Sequence, residues 1–135
     1  MTDCIFCKII KGEIPCSKVY EDKNVLAFLD ISPVNKGHAL VIPKKHYADF
    51  LDMPDEAVKQ IFTAAKRIAN AIMKGTGAAG FNLGMNNRKA AGQLVFHAHL
   101  HIITRFEGDG LRHWPGKKYG EGEAEETAGN IKKYF

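Results

Sequence analysis

The segment His97-Ala98-His99-Leu100-His101 sets three imidazoles at every second position. An imidazole serves as base, nucleophile or metal ligand near neutral pH. In a strand, side chains at alternate positions share one face, so the three rings would stand together. Two chemistries suit such a group. Three imidazoles can hold a catalytic zinc that keeps one position open. Alternatively, one imidazole can attack an electrophilic phosphorus while its neighbours position it. A face that merely meets water needs no histidine, since Thr, Lys or Glu would serve as well. Cys4 and Cys7 form a second group, a C-x-x-C pair that reads as a metal or a redox site. Redox is the weaker reading, because no βαβ pattern follows to frame a thioredoxin-like motif.

These side chains need elements to carry them. Ile5, Phe6, Ile9 and Ile10 recur at helical spacing before Gly12, which predicts a short helix over residues 4–11 bearing both cysteines. Segments 17–21 and 25–30 read as a hairpin, and His38 to Pro43 as a buried strand closed by its proline. Between Pro54 and Gly75, Val58, Ile61, Phe62, Ala65, Ile68, Ala69, Ile72 and Met73 form one apolar stripe on a long helix. Pro54 suits its first position and Gly75 its C-terminal cap. Residues 80–86 and 94–104 complete the strands. In the last of these, Phe96, Ala98, Leu100 and Ile102 face away from the histidines, toward that helix.

A chain of 135 residues is about one domain, with 45% hydrophobic and 25% charged residues, so wholesale disorder is excluded. Apolar runs are too short for a membrane span, and Met1-Thr2-Asp3-Cys4 does not open like a secretory signal. Three cysteines make a poor disulfide framework, which with the missing signal suits a reducing, cytoplasmic setting. Cys16 reads as a small buried apolar residue. The net charge of +4 favours anionic ligands weakly, and the bases are too dispersed for a nucleic-acid partner. Residues 117–135 carry four Lys and four Glu without apolar period. Residues 1–115 therefore form the domain, and 116–135 an extension that ends in a short helix.

From about Asp3 to Pro115 the sequence resembles the histidine triad superfamily of nucleotide hydrolases and transferases. The resemblance rests on His97-x-His99-x-His101 after Gly92-Gln93, on Asp30-Ile31-Ser32-Pro33, on His38 to His46, and on the opening Cys4 to Pro15. His113-Trp114-Pro115 resembles the Hint-like branch. The resemblance implies an α+β fold, with about five antiparallel strands on one long helix and a short N-terminal helix near the base slot. It makes His99 the nucleophile, forming a nucleotidyl-imidazole that water resolves. His101, His38 and His97 complete the catalytic cluster. Asp30 would meet the ribose, and Asn86 and Gln93 the phosphate. Ile5, Phe6, Ile9, Phe28 and Ile31 would line the base slot.

Bacterial members resembling this chain hold a structural zinc, which maps onto Cys4, Cys7, His46 and His97 and leaves His99 free. The Hint-like pattern departs at Leu94, where a small hydroxyl residue is usual. The resemblance further implies a homodimer through the long helix and sheet edge. The expected activity is purine nucleoside phosphoramidase or nucleotidyl hydrolase, releasing AMP or GMP. Two alternatives are a dinucleoside polyphosphate hydrolase and a zinc-stabilised dimeric adaptor that senses nucleotide with little turnover.

Overall fold

The computed structural model describes residues 3–135; the reading of an opening from Met1 and Thr2 lies outside them. Helix α1 spans Ile5–Ile10, capped by the Cys4 sulfur accepting from the Cys7 N–H at 3.4 Å. Strands β1 (Lys18–Glu21), β2 (Val25–Leu29) and β3 (Ala39–Pro43) follow. Helix α2 spans Asp55–Thr76, then come β4 (Gly80–Gly84), β5 (Leu100–Arg105) and helix α3 (Glu123–Lys132). The strands form one antiparallel sheet in the order β1-β2-β3-β5-β4. That is the α+β architecture expected, with one long helix and a short N-terminal one.

Pro54 lies one position outside the helix as its N-cap, with Asp55 and Glu56 at the positive end of the dipole. The helix also runs past Gly75. Gly77 takes the left-handed conformation, φ 71°, and donates its N–H to the Met73 carbonyl. The stripe Ala57, Ile61, Ala64, Ala65, Ile68, Ala69 and Ile72 is buried against one face of the sheet, whereas Phe62 is exposed. Val25, Ala27, Ala39, Val41, Leu100 and Ile102 meet it there. Leu26, Phe28, Leu40 and Ile42 point to the other face and pack on Phe6 of α1. The site is built on that second face.

The last strand begins at Leu100, six residues later than expected. The register Ala39↔Ile102 and Val41↔Leu100, continued, would set Pro43 opposite Ala98. Proline has no N–H to extend the ladder. The Ala98 N–H instead reaches the Tyr47 carbonyl at 2.7 Å, and His97, in a bend, and His99 precede β5 rather than lying in it. Ala98 is buried as expected, but Phe96 is half exposed. No helix among the described residues is long and apolar enough to cross a membrane.

Candidate functional site

Hydrogen bonds to backbone assign the imidazole protons. His99 Nδ1 lies 2.7 Å from the His97 carbonyl oxygen. A carbonyl only accepts, so Nδ1 carries the proton and the neutral ring keeps a bare lone pair on Nε2. His38 is fixed the opposite way: its Nδ1 accepts the Val34 N–H at 3.0 Å, so its own proton sits on Nε2. That Nε2–H donates to His101 Nδ1 at 2.9 Å, which leaves His101 protonated on Nε2. The His99 and His101 ring centroids are 5.1 Å apart. One ring thus offers a lone pair and its neighbour an N–H. Burial, the largest cause, pushes His99 and His38 below the ordinary imidazole range and His101 down to about 4. Asp30 opposes these shifts. Near pH 7 all three are neutral.

His99 and His101 open into a cavity of about 440 Å³. Ile5, Phe6 and Ile9 of α1, with Phe28 and Ile31, supply its apolar lining, and Asp30 and Asn86 supply polar groups. A volume of several hundred Å³ with an apolar slot and a few convergent polar groups suits a small-molecule ligand. His38 reaches it only through His101. The cavity also takes in Pro15, Cys16, Gly92, Leu94 and Val95. Cys16 corrects the reading of a buried spectator: it is exposed and lines this wall. No periodicity or motif marks Cys16, so the sequence carried no signal for this placement. Leu94, 89% exposed, forms part of the rim.

Gln93 is buried and its side chain is committed elsewhere. Its amide donates to the Ala48 and Val95 carbonyls at 2.7 and 3.0 Å, and its oxygen accepts the Arg88 N–H at 2.7 Å. Arg88 sits at φ 71°, ψ 162°, a region that glycine nearly monopolises. Gln93 therefore clamps the loop that carries Asn86 and Gly92 to the cavity.

The cysteines meet two histidines on the far side of α1. His97 Nδ1 lies 3.4 Å from Cys4 Sγ, 3.6 Å from Cys7 Sγ and 3.2 Å from His46 Nδ1, and Cys7 Sγ is 3.4 Å from His46 Nδ1. Bonds of about 2.3 Å to sulfur and 2.0–2.1 Å to nitrogen give a tetrahedron edges of about 3.3–3.8 Å. These four separations, 3.2–3.6 Å, lie close to that range, and all four ligand atoms fall within 4.8 Å of one another. His97 Nε2 donates to the Pro43 carbonyl at 2.8 Å, which leaves Nδ1 bare toward the centre. Burial holds His97 at about 4 and, with Cys4 beside it, pushes the Cys7 thiol up. A central dication would relieve both constraints. Asp30, His38 and His101 also cluster. There the metal reading fails, because ligation through His38 Nε2 would put the ring's proton on Nδ1, and Nδ1 instead accepts the Val34 N–H.

A family model described as HIT domain matches residues 11–108. The adenosine 5'-monophosphoramidase of Schizosaccharomyces pombe is 44% identical over 119 residues, 88% of this chain and 80% of that one. A crystal structure of a Streptococcus mutans protein superposes with TM-score 0.93 at 45% identity, covering 99% of this chain and 86% of that one. A Zn-bound histidine triad family protein from Mycobacterium smegmatis superposes with TM-score 0.79 at 38% identity, covering 99% of both chains. With the triad, the cavity and these likenesses in agreement, the chain belongs to the HIT family and is one of its hydrolases.

Proposed function

We propose that the chain cleaves purine nucleotide conjugates at the α-phosphorus, phosphoramidates foremost, and releases AMP or GMP. The single observation that carries this is the bare Nε2 of His99 facing a nucleotide-sized cavity beside the N–H of His101. Nε2 attacks phosphorus, forming a P–N bond while the bond to the leaving amine breaks. The His101 N–H donates to the departing group. Water then attacks phosphorus and the P–N bond to His99 breaks, which restores the His99 lone pair; the water oxygen leaves on the nucleotide and one of its protons returns to His101. Asp30 receives the ribose hydroxyls, Asn86 the phosphate, and Ile5, Phe6, Ile9, Phe28 and Ile31 the base. Gln93 serves the phosphate site by holding its loop.

Cys4, Cys7, His46 and His97 fit a closed, structural Zn²⁺ that ties α1 to the approach of β5 and takes no part in the chemistry. Exposed Phe81 and Leu83 on the edge strand β4 support a homodimer built on that edge and α2. Residues 116–135 stand as an extension, with α3 carrying no buried side chain. The Cys usage suits a cytoplasmic protein. Aliphatic Leu94 at the rim supports a second reading, a nucleotide-sensing adaptor with slow turnover. Steady-state turnover of adenosine phosphoramidate against diadenosine polyphosphates tests the assignment. Preference for the phosphoramidate is expected, preference for the polyphosphate moves the chain to that substrate, and absence of turnover with tight AMP binding favours the adaptor.

A further inference from the structure

The metal cluster and the nucleotide cavity are built on the same two pieces of chain. On α1, Cys4 and Cys7 turn toward His46 and His97, while Ile5, Phe6 and Ile9 line the cavity. Phe6 contacts both histidines in T-shaped ring pairs, 5.9 Å from His97 and 5.1 Å from His99 by centroid. Ahead of β5, His97 points Nδ1 into the cluster, and its carbonyl oxygen holds the Nδ1–H of His99. A helix of six residues does not persist alone. What seats α1 is Phe6 in the core of the site face, with Ile9 and Ile10 beside it, and the cluster.

We propose that Cys4, Cys7 and His97 are positioning residues for the nucleotide site, so that metal and nucleotide each tighten the other's binding. The metal fixes one cavity wall through α1 and the anchor of the nucleophile through the His97 backbone. The proposal rests on the Cys4–Cys7–His46–His97 metal reading and extends it from stability to substrate binding. Two sites that shared no moving part would be independent, but these share Phe6 and His97. Linkage requires one coupling factor in both directions, and such factors run from about 5- to 150-fold.

The test uses the full chain loaded with zinc and a chromophoric chelator competing for the metal, with and without saturating AMP. AMP is expected to raise the apparent zinc affinity at least about fivefold. Phe6→Leu keeps all four ligands and the apolar bulk but loses the shared ring, and is expected to shrink the gain toward one. In the cadmium-113 form, AMP is expected to shift the metal resonance, which a merely structural site would not show. Tight zinc whose affinity ignores AMP overturns the coupling and leaves the metal reading standing, as does an undiminished gain in Phe6→Leu. Failure to bind stoichiometric zinc overturns both. Because competition starts from the loaded chain, the result holds even where the metal-free chain unfolds.

Discussion

His99 donates its Nδ1 proton to the backbone oxygen of His97 at 2.7 Å, so the first triad histidine fixes the tautomer of the second. The side chain of that first histidine faces away from the reaction, toward two cysteines. One residue therefore meets the cysteine–histidine cluster with its ring and holds His99 with its carbonyl. Under the proposed mechanism the three histidines divide the labour: His97 anchors, His99 attacks and His101 donates.

Acid should silence the enzyme, but late. Protonating His99 Nε2 removes the attacking lone pair, and burial holds its pKa below the ordinary imidazole value. The kcat/KM profile is expected to stay flat as pH falls through 6.5, the ordinary imidazole value, and to drop only in more acidic buffer. Stability follows the same sign. His101, near 4 when folded and 6.5 when unfolded, binds more protons in the unfolded chain across that window. Its contribution is complete above pH 6.5 and is lost toward pH 4; His101→Gln is expected to flatten the fall of Tm across that range.

Arg88 occupies a backbone region suited to glycine. Strain there costs about 1–3 kcal/mol. The exposed Arg88–Asp49 ion pair at 3.1 Å returns about 1 kcal/mol at most. Arg88→Gly is therefore expected to leave stability unchanged or raise it by up to about 2 kcal/mol in denaturant titration. A loss above 1 kcal/mol would show that the arginine side chain, rather than the Gln93 clamp, holds this loop.

Leu94 places an aliphatic side chain at the rim of the cavity, where it offers no hydrogen bond. A hydroxyl bonded to a charged phosphate or leaving-group oxygen contributes about 1.5–3 kcal/mol. Leu94→Ser is expected to raise kcat for adenosine phosphoramidate about 10- to 100-fold. An unchanged or lower kcat would mean that the rim does not reach the reacting atoms.

Chelation distinguishes a structural metal from a catalytic one. Stripping the cluster of Cys4, Cys7, His46 and His97 is expected to lower Tm by several degrees. Turnover at 20 °C with saturating nucleotide should survive the first minutes of chelator exposure. Immediate loss of activity without a fall in Tm would place the metal on the triad itself.

How much of this was legible in the sequence depended on whether a local period or a distant contact decided it. The stripe on α2 and the His99–His101 neighbourhood are local: Ile61, Ala65, Ile68, Ala69 and Ile72 are buried as expected, although Val58 and Met73 are half-buried and Phe62 is exposed, while His97 leaves the shared face and turns its ring to the cysteines. The end of α2 was misplaced by two residues because Gly75 and Gly77 are equally able to cap, and chain geometry chose the second. The late start of β5 follows from Pro43, fifty-five residues upstream of Ala98, which no window along the strand contains. The fates of His38 and Gln93 turn on the Val34 N–H and the Arg88 N–H, backbone groups whose positions only the folded loops define. Cys16 was invisible because exposure beside a cavity leaves no compositional trace.

The most direct test of the central claim is intact-mass analysis of the chain quenched in acid during turnover of an adenosine phosphoramidate, followed by peptide mapping. A single added AMP moiety is expected on His99, absent in His99→Ala, whose turnover falls by at least about 1,000-fold. Full turnover in His99→Ala, or an adduct mapped to His97 or His101 instead, would contradict it.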